Sequence, residues 1–144
     1  MLSWVLILAV LFSGLTATAA AQTKDPPDSA LTTGAPAPLT IYFGVGSSSI
    51  RGEDKAVLDK ASRAYNEGKP IVMIITGSAD RTGSAEVNLD LSQRRAFTVL
   101  KALLDRGIPA ERFQIFAKGV TDLPVPTDPG VAESRNRRVD ITWR

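Results

Sequence analysis

The sequence predicts an α+β fold, a two-layer α/β sandwich in which two helices pack on one face of a sheet. Two observations support this prediction. Segments rich in strand-forming residues alternate with segments of helical period in the order β-α-β-α-β-β. The chain has 144 residues, of which 44% are hydrophobic and 22% charged, so it is long enough for one domain with its own core.

Local patterns place each element. A β-rich segment, LTIYFGV, begins the folded part near Leu39. The first helix ends at Gly68, and Gly107 and Pro109 close the second. The connection over 119–134 is long for a small domain and is either functional or irregular. After the first strand, the predicted elements are a helix over 53–68, a strand over 70–77, a helix over 83–106 and strands over 112–119 and 135–143.

The first 21 residues, MLSWVLILAVLFSGLTATAAA, carry no charged side chain and are predicted to be a secretory signal peptide. Their apolar core is short for a membrane span, which needs about 20 apolar residues. The alternative is a membrane anchor that is not cleaved. Residues 22–38 are predicted to be a Pro/Ala/Thr-rich linker and residues 39–144 the folded domain.

The side-chain inventory argues against an enzyme, a metal site and a bound cofactor. The sequence has no histidine and no cysteine, so the usual general base, the thiolate nucleophile and the common zinc ligands are missing. The absence of cysteine also leaves no thiol for lipid attachment. A net charge of +2 is too balanced for the clustered basic face of a nucleic-acid-binding protein. We therefore expect a binding or structural protein without a nucleic-acid partner.

A helical wheel at about 100° per residue, counted from Asn88, places the two adjacent arginines of the second helix on different faces. Arg94 then lies near about 240°, on the solvent face. Arg95 lies near about 340°, in one stripe with Asn88 at the border of the buried arc, which predicts a half-shielded guanidinium. The predicted core-facing arc contains Val99, Leu103, Ala96, Leu89 and Leu100.

A carboxylate and a third arginine are candidates for the same groove. Asp80 lies in the turn before the second helix, where N–H groups and the positive helix end favour an anion. Alternation along the last strand puts Arg137 on the helix side and points Arg138 away. The alternatives stay open: Asp80 as a turn or cap residue, Arg95 as its ion-pair partner, and Arg137 as an edge arginine.

The segment GSADRTGSAEVNLDLSQRRAFTVLKALLDRGI, together with NRRVDI and YFGVGSSSI, resembles the OmpA-like peptidoglycan-binding domain. The motifs match in order and spacing over residues 40–143. This resemblance implies a mixed sheet and noncovalent binding of the diaminopimelate residue in the peptidoglycan stem peptide. It implies that Asp80 pairs with the ligand's ammonium group and Arg95 with a carboxylate, while Asn88 and Arg137 add hydrogen bonds.

The chain departs from the family pattern at two places. Ser78 and Ala79 replace a His-Thr pair, so the backbone of Ala79 is the remaining contact there. Gly44 and Gly46 stand where the family usually has polar or acidic residues.

The function that the resemblance implies is peptidoglycan binding at the cell wall of the periplasm, with outer-membrane association left open. The alternative is an accessory interaction protein of an envelope complex with weak or no affinity for peptidoglycan.

Overall fold

The structure, a computed structural model, describes residues 37–144. The predicted signal peptide and residues 22–36 of the predicted linker lie outside the described residues. Among residues 37–144, no helix is long and apolar enough to cross a membrane. The helices and strands are β1 (Leu39–Tyr42), α1 (Lys55–Gly68), β2 (Met73–Gly77), α2 (Ala85–Leu104), β3 (Phe113–Ala117) and β4 (Arg138–Trp143), with 3₁₀ turns at Gly52–Asp54, Ala110–Arg112 and Ser134–Asn136.

The four strands form one mixed sheet in the order β1-β4-β2-β3. Strand β4 is antiparallel to both of its neighbours, whereas β2 and β3 are parallel and are joined through α2. The register pairs Ile75 of β2 with Ile141 of β4, and Val139 of β4 with Ile41 of β1. Because side chains alternate along a strand, these four point to one face.

Both helices cover that face, so the predicted α+β sandwich is confirmed. Each fully buried Ile, Leu or Val contributes about 1.5–3 kcal/mol relative to exposure. The core therefore holds the two layers together. Its buried members are Ile41, Phe43, Leu58, Ala61, Met73, Ile75, Ala96, Val99, Leu103, Ile108, Val139 and Ile141.

The elements are shorter than their sequence patterns predict. Helix α1 begins at Lys55, two residues later than predicted, and ends at the predicted Gly68, where Lys69 adopts a left-handed conformation with φ 40°. Helix α2 begins after Ser84, whose hydroxyl accepts a hydrogen bond from the Val87 N–H at 3.3 Å. Strand β4 begins at Arg138, because the 3₁₀ turn occupies the residues before it.

The buried face of α2 is rotated from the predicted one. Leu89, predicted to face the core, is 50% exposed, whereas Arg95 is 0% exposed. Both expectations from the wheel were wrong, because Asn88, Ser92 and Arg95 are polar and yet buried. The apolar pattern alone therefore misplaces the centre of the buried arc by about 60°.

Strand β2 and helix α2 approach most closely at Gly77. A Cβ atom on this residue would lie 2.1 Å from the carbonyl oxygen of Ser92 and 3.3 Å from Cβ of Ala96. Glycine therefore permits the contact that brings the end of β2 under α2. The three residues that follow Gly77 lead directly to the candidate site.

Replacing Gly77 by alanine is expected to lower the free energy of unfolding by about 3 kcal/mol, because the backbone of α2 must move away. Urea denaturation followed by circular dichroism measures this change. Gly52→Ala is the matched control, since nothing lies within 4 Å of a Cβ built there. Its expected change is below about 0.5 kcal/mol. Equal stability of the two variants would contradict the close approach.

Candidate functional site

Three chain segments meet at one edge of the sheet, where β1 and β2 end and β4 begins. The register pairs Tyr42 with Arg138 and Gly77 with Val139. Across this edge the Ser78 N–H donates to the carbonyl of Arg138 at 2.9 Å. The five residues predicted for the site belong to these segments or to the first three turns of α2.

Asp80 is 3% exposed, and both of its carboxylate oxygens accept hydrogen bonds. Oδ1 accepts from the Thr82 hydroxyl at 2.7 Å. Oδ2 accepts from Arg137 Nη1 at 2.9 Å and from the backbone N–H of Glu133 at 3.4 Å. Burial acts to raise the pKa of Asp80, but the hydrogen bonds from Thr82, Arg137 and Glu133 together hold it below the ordinary value of 3.8. Asp80 is therefore anionic at neutral pH.

Arg95 is fully buried, and each of its three nitrogens donates to a backbone carbonyl. Nε donates to Ser47 at 2.8 Å, Nη1 to Ser78 at 3.0 Å and Nη2 to Gly44 at 3.0 Å. The guanidinium carbon also lies 5.3 Å from the centre of the Phe43 ring. One side chain of α2 thus joins the segments that follow β1 and β2.

The environment of Arg95 differs from that of its neighbour. Burial lowers the pKa of the Arg95 guanidinium to about 10, while the charge of Asp80 acts in the opposite direction and that of Arg137 adds to the lowering. The prediction of a half-shielded guanidinium was wrong, because backbone carbonyls replace water as acceptors. Arg94 has a side chain 58% exposed and pairs with Asp90 at 2.9 Å, which confirms its place on the solvent face.

Arg137 is the ion-pair partner of Asp80, with Nη1 at 2.9 Å from Oδ2. Its Nε donates to the carbonyl of Phe43 at 3.1 Å. The prediction that Arg137 reaches the helix side is confirmed, while Arg138 pairs with Asp140 at 2.9 Å on the other face. Within residues 37–144, the alternative that Arg95 forms an ion pair with Asp80 was wrong.

The other two predicted residues are buried beside these charges. Asn88 donates from Nδ2 to the carbonyl of Gly83 at 3.1 Å and so closes the turn before α2. The Ala79 N–H donates to the carbonyl of Gly119 at 2.8 Å. Because that N–H is already paired, the backbone contact predicted for Ala79 is limited to its carbonyl.

Two side chains without a predicted role hold the connection over 119–134 at this edge. Asn136 is fully buried; its Oδ1 accepts from the Val125 N–H at 3.0 Å and its Nδ2 donates to the Val125 carbonyl at 2.7 Å. Ser92 accepts from the Gly119 N–H at 2.9 Å. A polar residue inside the predicted core arc was the available signal for Ser92, whereas no pattern pointed to Asn136.

The lowered pKa of Asp80 predicts a pH dependence of stability. Stability from this carboxylate is present above its unfolded pKa and is lost as the pH falls through the lower folded pKa, since the unfolded chain binds the proton first. The free energy of unfolding of the wild type should therefore fall below about pH 4, and that of Asp80→Asn should fall less. Asp90→Asn, at an exposed pair, should follow the wild type. Parallel curves for Asp80→Asn and the wild type would contradict this account.

Comparison with known sequences finds one matching family and several curated relatives. The OmpA family model matches residues 42–137, about two thirds of the chain. The peptidoglycan-associated lipoprotein of Brucella melitensis is 34% identical over 99 residues, covering 68% of this chain and 58% of that protein. Its counterpart in Mesorhizobium japonicum is 30% identical over 102 residues, covering 71% and 61%. The chain thus spans about three fifths of the length of these curated relatives.

Solved structures share the fold. The crystal structure of the peptidoglycan-associated lipoprotein from Burkholderia pseudomallei has a TM-score of 0.67 at 25% identity, covering 73% of this chain and 89% of that one. The OmpA-like domain of FopA1 from Francisella tularensis has a TM-score of 0.64 at 20% identity, covering 73% and 70%. The family match over residues 42–137 and these relatives together show that this chain belongs to the OmpA family.

Proposed function

We propose that this chain binds peptidoglycan noncovalently through the diaminopimelate residue of the stem peptide, and that it is thereby held at the cell wall of the bacterial periplasm. The observation that carries the proposal is the buried anionic Asp80 at one sheet edge with the guanidinium groups of Arg95 and Arg137. In this proposal the domain is a binding module and not an enzyme.

The two charges suit the end of a diaminopimelate side chain, which carries one ammonium and one carboxylate. Asp80 would pair with the ammonium, since a carboxylate offers about four acceptor positions and an added donor can be accommodated. Arg95 would bind the carboxylate. Its three hydrogen bonds leave one N–H on each of Nη1 and Nη2 of the five that arginine carries.

Arg95 has no exposed surface, so the proposal requires movement of the segment that covers it. That segment includes Gly44 and Ser47, whose carbonyls accept from Arg95. Gly46 lies within it at φ 61°, a conformation that glycine adopts readily. We propose that this segment opens and that a ligand carboxylate replaces the Gly44 carbonyl, because a charged acceptor forms the stronger hydrogen bond.

The remaining site residues would complete the contact. Arg137 uses Nε and Nη1 within the chain, which leaves Nη2 for the ligand. Asn88 and the Ala79 carbonyl would add hydrogen bonds at the turn before α2. Lysine at the same stem position lacks the side-chain carboxylate, so the hydrogen bond between that charged group and Arg95 would not form, at a cost in affinity of about 1.5–3 kcal/mol. Selectivity for walls of the diaminopimelate type follows.

The relatives support a location at the wall, since the proteins from Mesorhizobium japonicum, Brucella melitensis and Burkholderia pseudomallei are all peptidoglycan-associated lipoproteins. The 144 residues of this chain contain no cysteine, so no thiol is present in them for lipid attachment. Wall binding would be aided by rebinding among the many stems of the polymer. Other envelope proteins and, where residues 1–21 remain attached, a membrane are further proposed partners.

A second candidate is an accessory interaction protein of an envelope complex with weak or no affinity for peptidoglycan. One observation favours it: the N–H of Ala79 and the nitrogens of Arg95 are already paired within the chain. Calorimetry with a diaminopimelate-containing stem peptide separates the two candidates. Absence of heat at millimolar peptide would support the second one.

Sedimentation with purified sacculi tests the first candidate. Wild-type protein should pellet with diaminopimelate-type sacculi, and Asp80→Asn should pellet at least about tenfold less, because the ammonium loses a charged partner in a buried site. Asp90→Asn is the matched control, since it changes the net charge equally on the exposed face of α2. Circular dichroism checks that each variant is folded.

Competition with free ligand keeps this test independent of folding in the variants. Meso-diaminopimelate should release wild-type protein from the sacculi, whereas lysine blocked at its α-amino and α-carboxyl groups, which keeps only the side-chain ammonium, should not at the same concentration. Equal pelleting of folded Asp80→Asn and Asp90→Asn would overturn the role of Asp80. Equal release by the two compounds would overturn the proposed specificity.

A further inference from the structure

A surface cavity of about 380 Å³ lies beside Arg137, within the size range of small-molecule sites. Three of its lining residues are arginines and none is acidic. The N–H donors that these arginines carry suit an anion. The lining includes Tyr42, Gly44, Arg51, Ser134, Arg135 and Arg137.

Two of these arginines, Arg51 and Arg135, form ion pairs with acids that do not line the cavity. Arg51 pairs through Nη1 with Glu53 and through Nε with Asp54, each at 2.9 Å. Arg135 binds both carboxylate oxygens of Glu133, through Nε and Nη2, each at 3.1 Å. The Nη2 of Arg51 and the Nη1 of Arg135 therefore keep their N–H donors, and the two side chains are 49% and 65% exposed.

The cavity is continuous with the site proposed for diaminopimelate. Arg137 lines the cavity and also pairs with Asp80 at 2.9 Å. Gly44 lines it and also accepts from Arg95 Nη2 at 3.0 Å. A ligand residue held between Asp80 and Arg95 therefore has its neighbours in the peptide close to the cavity.

We infer that this cavity is a second subsite, which binds a carboxylate of the stem peptide next to diaminopimelate through Arg51 and Arg135. The inference rests on the proposed function, because the ligand must already be held at Asp80 and Arg95. The glutamate that precedes diaminopimelate is linked through its γ-carboxyl group, so its α-carboxylate is available. The terminal carboxylate of the peptide is the other source of the same chemistry.

Gly44 offers a way to reverse the charge of the cavity without crowding it. A Cβ on this residue would meet only Cβ of Ser47, at 3.6 Å, an ordinary van der Waals contact. Its backbone lies outside the positive φ region. A Cβ atom is therefore tolerated at this position, and aspartate would place an acid beside the three arginines, which should repel an incoming carboxylate.

Calorimetry with the tripeptide L-alanyl-γ-D-glutamyl-meso-diaminopimelate tests the inference. Its affinity is compared with those of two analogues. One is amidated at the glutamyl α-carboxylate and the other at the diaminopimelate carboxylate that ends the peptide chain, here called the terminal carboxylate. Amidation of the glutamyl group should weaken wild-type binding by about 2- to 5-fold, within the range expected for an exposed charge pair. In Arg135→Gln, where Arg51 remains, the difference in affinity between the acid and the glutamyl amide should shrink, and Gly44→Asp should bind the acid more weakly than wild type does. Arg112→Gln, at the opposite edge of the sheet, should keep the wild-type preference.

The outcomes separate this inference from the function on which it rests. Loss of affinity only on terminal amidation would place the terminal carboxylate in the cavity and overturn the expectation that the glutamyl α-carboxylate binds there. Equal affinity for the acid and both amides would overturn the subsite while the proposed function stands. Failure of all three peptides and of free meso-diaminopimelate to bind would overturn the proposed function, and the subsite with it.

Discussion

The burial of one guanidinium group is the constraint on which the site depends. Arg95 extends from α2 and donates to carbonyls of Gly44, Ser47 and Ser78, so a single helix residue joins the segments after β1 and β2. A charge without exposure is tolerated here because every nitrogen has an acceptor. Its loss would leave three carbonyls without their donor.

That arrangement in turn requires close packing of α2 on the sheet. Glycine at position 77 lets the Ser92 backbone approach, and the Ser92 hydroxyl accepts from the Gly119 N–H at 2.9 Å on the other side. A Cβ on Gly119, at φ 54°, would lie 3.2 Å from Cα of Leu89. Gly77, Gly119 and Ser92 therefore determine how closely α2 approaches the sheet. That distance in turn determines whether Arg95 reaches its carbonyl acceptors.

The sequence predicted the element order and the residues of β4 that face the core. It also predicted that Arg137, and not Arg138, lies on the helix side of the sheet. Both follow from alternation and helical period, which are set by backbone geometry. The sequence misplaced the buried face of α2, since buried polar residues are invisible to an apolar pattern. It also could not identify the partner of Asp80. That pairing joins residues 57 positions apart and depends on β4 lying beside β2.

Each charged group proposed to bind ligand already has a partner within the chain, so binding would be an exchange of hydrogen bonds and not the filling of an open pocket. Nitrogen-15 NMR of the arginine side chains observes this exchange directly. Titration with meso-diaminopimelate should shift the side-chain resonances of Arg95 and leave those of Arg94 in place, whereas lysine blocked at its α-amino and α-carboxyl groups should shift neither. An Arg95 signal that stays unchanged at saturating meso-diaminopimelate would contradict the central role given to this residue.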